Sequence, residues 1–100
     1  MTTVIWSPRS KTRLARIFRY IAAHDPQQAM RVGQRLLDGG NGLGKQLSGR
    51  PGRYARHYEK SLTDINYILH YRLRRDRDEV VIIDIVHSRR DWHPGQMPPR

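Results

Sequence analysis

The segment from Val80 to Val86 is apolar at every position except Asp84, and it runs directly into His87, Ser88, Arg89, Arg90, Asp91 and Trp92. It reads as a strand. Val80, Ile82 and Val86 point to one side and Val81, Ile83 and Ile85 to the other, so the strand is expected to be central and covered on both faces. A strand buried in this way is rigid, and the residues that leave its end are held in place. Polar and aromatic side chains at such an exit are where a small domain can build a site.

The chain ahead of that strand divides into two helices and two further strands. Thr2 to Trp6 is short, β-branched and aromatic, and reads as a first strand. Ser7 followed by Pro8 marks a helix start, a hydroxyl cap with proline at the first helical position. Leu14, Ile17, Phe18 and Ile21 recur at helical spacing as one apolar stripe, and Arg9, Arg13, Arg16 and Arg19 fall on roughly the opposite side. Asp25, with Gln28 in the capping-box position, starts a second helix. Its inner face would use Ala29, Val32, Gly33 and Leu36, with Met30 and Leu37 flanking, and the glycines from Gly39 to Gly42 are expected to end it. Helices joined by so few residues must lie side by side.

Residues 43–56 are rich in Gly, Arg, Pro and Ser and read as a basic surface loop. Arg56 to Leu62 is a strand, Thr63 and Asp64 turn it, and Ile65, Tyr67, Leu69, Tyr71 and Leu73 alternate in the next. A charged hairpin from Arg74 to Asp78 leads back to the apolar strand. The order is βααβββ, and the expected fold is an α+β sandwich in which an antiparallel helical hairpin packs on a small, mainly antiparallel sheet. One domain is expected over residues 1–94, with an irregular proline-containing tail at 95–100. The other face of the sheet is expected to stay more open, to take Tyr, His and Arg side chains, and to be the place for binding.

Charge narrows the choice of partners. The formal net charge is +10. Residues 1–58 hold eleven basic side chains against Asp25 and Asp38, whereas residues 59–100 hold eight against seven acids. The excess therefore belongs to the first half, and it attracts DNA, RNA or an acidic protein segment. No apolar run approaches membrane-spanning length, and the N-terminus lacks the pattern of a secretory signal. The absence of Cys fits a cytoplasmic protein. Neither a membrane nor a disulfide is expected.

Several side-chain groupings could carry chemistry. Arg89 and Arg90 can grip phosphate or carboxylate, His87 can move a proton, and Trp92 can stack on a base. Exposed Arg–Asp pairs are also common and usually inert, so the spacing alone does not make this cluster a site. The loop around Arg50, Arg53, Tyr54 and Arg56 is basic with an embedded aromatic, as in loops that bind phosphate backbones or acidic peptides. Asp84 is expected to pair with Arg, Tyr or His on the neighbouring strand. His24, His57, His70, His87 and His93 lack metal-ligand spacing, so no metal is expected. No phosphate-gripping glycine loop or nucleophile elbow is present, and no cofactor is expected.

Taken in order, Trp6-Ser7-Pro8, the run from Ile17 to Pro26, Gly49 to Arg53, Tyr67 to Arg72 and Val86 to Trp92 resemble the ParE branch of the RelE/ParE toxin superfamily of bacterial type II toxin–antitoxin pairs. The match covers roughly residues 4–94. The resemblance implies a βααβββ fold and a toxin that inhibits DNA gyrase by protein–protein binding. It also implies a cognate ParD-like antitoxin with a DNA-binding domain and an acidic flexible tail, so that DNA is reached only indirectly through the antitoxin. Such a tail would neutralise the basic excess by folding on binding. His87, Arg89, Arg90 and Trp92 are the expected target contacts, and Arg13, Arg16, Arg50, Arg53, Tyr54 and Arg56 the expected antitoxin contacts. RelE relatives instead cut messenger RNA in the ribosome, and His87 with Arg72, Arg89 and Arg90 could imitate part of their catalytic set. Trp92 has no ionisable group to donate or accept the proton, which favours the gyrase reading.

Overall fold

The computed structural model describes residues 2–47, 49–51 and 57–90, apart from the side chains of Arg50 and Arg90. The first strand, β1 (Thr3–Trp6), leads into helices α1 (Pro8–Ala22) and α2 (Pro26–Asn41). A two-residue strand β2 (Arg50–Pro51) precedes three long strands, β3 (His57–Leu62), β4 (Tyr67–Arg74) and β5 (Glu79–His87). The sheet order is β1-β5-β4-β3-β2, with β1 parallel to β5 and every other pairing antiparallel. This is the expected α+β architecture, with one short edge strand added inside the segment read as loop.

Both helices start where the sequence places them. Ser7 Oγ accepts the Ser10 N–H at 3.0 Å, Asp25 Oδ1 accepts the Gln28 N–H at 3.1 Å, and a proline follows each cap. These bonds satisfy backbone donors that a helix start leaves open. The Gln28 side chain does not return to Asp25 but accepts from Arg31 Nε at 3.1 Å. Gly39 and Gly40 do not end α2, which continues to Asn41. At Gly40 a Cβ would meet the Trp6 ring and come within 2.6 Å of Ile82 Cδ1, so α2 lies directly on the sheet there. Trp6 Nε1–H also donates to Asn41 Oδ1 at 2.9 Å. Leu43, expected in a surface loop, is 1% exposed and belongs to the core, carried by a single 3₁₀ turn from Gly42 to Gly44.

Cross-strand partners share a face. Leu69 opposite Ile85, Tyr71 opposite Ile82 and Leu73 opposite Val80 line the helix side of β4 and β5. Val32, Leu36, Leu62, Ile65, Leu69 and Ile85 form the larger cluster, against which Leu14, Ile17 and Ile21 pack. Leu43, Tyr71, Val80 and Ile82 form the second. The other face of β5 is only half covered, as Val81, Ile83 and Val86 show, so the expectation of burial on both sides does not hold. Among the described residues no second helical layer reaches that side. It carries His57, His70 and Arg72, as expected, but Tyr67 and Tyr71 lie on the helix side, and Tyr58 stacks on Tyr71 at 5.6 Å.

One irregularity changes which residues face the helices. His70 pairs with Asp84 and Tyr71 with Ile82, so Ile83 is an extra residue in β5, a β-bulge. Beyond it the alternation changes phase. Ile85 therefore joins Val80 and Ile82 in the core, and Val86 does not, the reverse of regular alternation. Ser7 fixes the irregularity from the helix side: its N–H donates to Ile82 O at 3.0 Å and its hydroxyl to Ile83 O at 3.1 Å.

Candidate functional site

The phase change delivers the end of β5 to the space beneath α1. His87 pairs with Tyr67 across the strands, and their rings meet edge to face at 4.9 Å. Asn66 takes the left-handed turn position with φ 63°, and its carbonyl accepts the Ser88 N–H at 2.8 Å, closing the corner beside His87. His87 Nδ1 accepts the Arg89 N–H at 3.1 Å, which places the proton of the neutral ring on Nε2.

A cleft of about 490 Å³ opens at this corner. Ile17 and Ile21 of α1, Val32 of α2 and Ile65 and Ile85 form its apolar floor, so the floor is the edge of the main core cluster. Arg13, Arg16 and Tyr20 of α1 stand along one rim, and Asn66, Tyr67 and His87 along the other. Arg13, Ile17, Tyr20 and Ile21 lie on one flank because they sit at i, i+4, i+7 and i+8 of a helix. An apolar floor beneath cationic and hydrogen-bonding rims fits a hydrophobic side chain flanked by acidic residues.

Arg13 is half-buried on this flank rather than opposite the apolar stripe. Its Nε donates to Asp84 Oδ1 at 3.1 Å, and Arg9 Nε lies 3.3 Å from Asp84 Oδ2. Asp84 is therefore a satisfied polar residue, as expected, but its partners come from α1 and not from the next strand. The Asp84 Oδ1 also accepts the Ile85 N–H at 2.8 Å. Phe18 departs from the stripe as well. It is 37% exposed and lies with Met30 and Leu37 on the outer surface of the hairpin, because Leu14, Ile17 and Ile21 already fill the side facing the sheet.

The remaining expected site residues are scattered. Arg89 is exposed in the 3₁₀ turn Ser88–Arg90 that follows β5. Arg50 pairs through its backbone with Glu59 on β3, at the sheet edge three strands from β5. Arg53, Tyr54, Arg56, Trp92, the side chains of Arg50 and Arg90, and the expected tail lie outside the described parts of the chain. Of the catalytic alternative, Arg72 is not brought to His87. Arg72 and His87 sit on opposite faces of the sheet, and Arg72 is five residues along β4 from the partner of His87, about 17 Å at strand spacing. Acid–base chemistry needs its groups at hydrogen-bond range of one reacting centre. Among the described residues no group of three or more His, Cys, Asp or Glu could hold a metal ion. No helix among them is long and apolar enough to cross a membrane.

Tyr20, Ile17, Ile21, Asn66 and Tyr67 were not anticipated as site residues. The helical spacing from Arg13 carried the signal for the first three, whereas Asn66 and Tyr67 depend on the turn geometry.

Comparison with known proteins gives a consistent assignment. The family model for the ParE toxin of the type II toxin–antitoxin system parDE matches residues 4–92. "Putative toxin Y4kP" of Sinorhizobium fredii is 39% identical over 88 residues, covering 87% of this chain and 88% of that protein. A chain of the chromosomal ParDE toxin–antitoxin system from P. aeruginosa superposes with a TM-score of 0.76 at 19% identity, over 87% of this chain and 96% of the other. A chain of the RelBE2 toxin–antitoxin complex from Mycobacterium tuberculosis gives 0.62 at 20% identity, over 86% and 90%. The two solved structures share the fold. With the family model spanning nearly the whole sequence, this chain belongs to the ParE toxin family of type II toxin–antitoxin systems.

Proposed function

We propose that this ParE-type toxin acts in the cytoplasm by binding DNA gyrase, without a catalytic step of its own, and that a cognate ParD-like antitoxin holds it inactive. The separation of Arg72 from His87 carries the non-enzymatic part of this reading, since the catalytic alternative needs both at one centre. Arg89, with Arg90 and Trp92 beyond it, leaves the fixed end of β5 and is the surface we assign to the target. The antitoxin is assigned to the cleft, where Arg13 and Arg16 meet acidic residues and the apolar floor takes one or two hydrophobic side chains. The two solved relatives come from toxin–antitoxin systems, which supports a partner of this kind.

A supercoiling assay with purified protein tests the target. Gyrase should lose activity in a dose-dependent manner and recover it when the antitoxin encoded beside this chain is added. Undiminished supercoiling at large toxin excess would sink the reading. Toeprinting on translating ribosomes addresses the alternative, in which new cuts would appear and vanish with His87→Ala.

A further inference from the structure

Arg13 and Arg16 also line a second groove, which adjoins the apolar cleft along α1. We infer that this groove, about 370 Å³ and formed by Pro8, Arg9, Thr12, Arg13 and Arg16, is a binding ridge for the phosphate backbone of duplex DNA. The inference concerns direct contact with nucleic acid and does not depend on gyrase being the target.

The charge is concentrated and only partly compensated. Helix α1 carries five basic residues, Arg9, Lys11, Arg13, Arg16 and Arg19, and no acid. Asp84 meets two of the three groove arginines, one through each carboxylate oxygen, and both contacts are made by the Nε atom. Each guanidinium has five N–H donors in a planar fork, so the outer nitrogens of Arg9 and Arg13 keep donor capacity for another anion. Arg16 makes no ion pair with a described residue. Three cations against one carboxylate leave an excess of two, with two of the forks already held in place. Thr12 adds a neutral hydroxyl of the kind that contacts phosphate oxygens.

The lining selects among anionic partners. A peptide needs apolar burial to offset its ordering, and among the described residues this groove offers only Pro8, in contrast to the five-residue apolar floor of the adjoining cleft. Phosphate binding needs no apolar surface, because release of condensed counterions drives it. Single-stranded nucleic acid is gripped through bases stacked on aromatic side chains, and none of the described aromatic residues lines the groove. Arg9 to Arg16 spans about 10.5 Å of helix, a length over which duplex DNA presents roughly six phosphates. The binding is therefore sequence-independent.

Fluorescence anisotropy with a mixed-sequence duplex of about two helical turns, between 50 and 200 mM salt, tests the ridge. Contact with two to three phosphates predicts a slope of log affinity on log salt between roughly −1.8 and −2.7. Arg16→Ala, which removes no ion pair, should make that slope shallower by about 0.9 and weaken binding. Replacing Arg9, Arg13 and Arg16 together should abolish it, with circular dichroism reporting whether the fold survives. Arg75→Ala with Arg77→Ala, on the distant hairpin, should leave the slope unchanged. An equal loss from the hairpin variant would reduce the effect to diffuse net charge and overturn the proposal. Tighter binding of single-stranded RNA than of duplex, or no binding to duplex at 50 mM salt, would overturn it as well.

Discussion

The two sides of α1 use the same arginines for different purposes. On the cleft side Arg13 and Arg16 border a floor made of core residues, so a ligand there gains apolar burial and only then charge pairing. On the ridge side the same pair stands with Arg9 and Thr12, and Pro8 is the one apolar residue among the described lining, so electrostatics supplies most of the affinity. The difference teaches that a stripe of arginines does not define a partner by itself. What lies beneath the guanidinium groups decides whether a peptide or a phosphate backbone can profit from them. Because both sides draw on Arg13 and Arg16, the antitoxin we assign to the cleft and the DNA we assign to the ridge should hinder each other.

The strongest way to break the contrast is to hollow out the floor. Ile85 is 1% exposed and belongs to both the core and the cleft. Ile85→Ala is expected to cost about 2–5 kcal/mol in urea unfolding. A cost well under 1 kcal/mol would mean that the floor is not continuous with the core. Tyr20→Ala separates the two sides more gently, because Tyr20 is 61% exposed and borders the cleft alone. It should weaken the antitoxin about tenfold or more by calorimetry, equivalent to about 1.4 kcal/mol, while the affinity for duplex DNA stays the same. Loss of both would merge the two surfaces into one.

Asp84 joins the sides to the sheet. Its side chain is 14% exposed, but Arg9 and Arg13 are 55% and 30% exposed, so solvent screening reduces what the pairing is worth. Asp84→Ala should cost about 1–2 kcal/mol of stability, a figure that includes the bond to the Ile85 N–H. An unchanged unfolding midpoint would show that the arginines need no anchor.

Titration supplies two smaller tests away from α1. Burial pushes the Tyr71 hydroxyl above its ordinary value of 10.0, with a further contribution from Tyr58. A raised folded value means stability that is fully present below pH 10.0 and declines as pH rises through the folded value. Tyr71→Phe should remove that alkaline component from urea midpoints measured across the range. A hydrogen bond from Arg35, whose Nε lies 2.9 Å from Asp64 Oδ2, holds the Asp64 carboxyl below its usual value. Its contribution is present above the ordinary carboxylate value and lost as pH falls through the depressed one. Asp64→Asn should therefore flatten the acid limb slightly and leave both sides of α1 untouched.

Most of the framework was legible in the sequence because it rests on local chemistry. Ser7 with Pro8 and Asp25 with Pro26 start the helices where their side chains can cap them. The period-two pattern from Tyr67 to Leu73 gives β4 its inward face. What escaped depends on contacts distant along the chain. Leu43 reads as part of a loop until Val80 and Ile82 are known to need a cover. Gly39 and Gly40 read as helix terminators, yet α2 runs through them because Trp6 and Ile82 occupy the room a side chain would take at Gly40. The same holds for the site. Arg13 and Arg16 could be named from charge, but the floor beneath them comes from four separate segments, and Asp84 has its partners on α1, about seventy residues away along the chain.

That break has a consequence for how the last strand can change over time. Removing Ile83 would make the ladder regular and leave Asp84, Ile85 and His87 opposite His70, Leu69 and Tyr67. Removing one residue elsewhere in the strand would instead put the downstream side chains out of phase, turning Val86 inward and His87 away from Tyr67. Within this nine-residue segment a single deletion therefore keeps the inward face only at the bulge, and there it must be matched by a change at Ser7, whose two bonds read the irregular backbone.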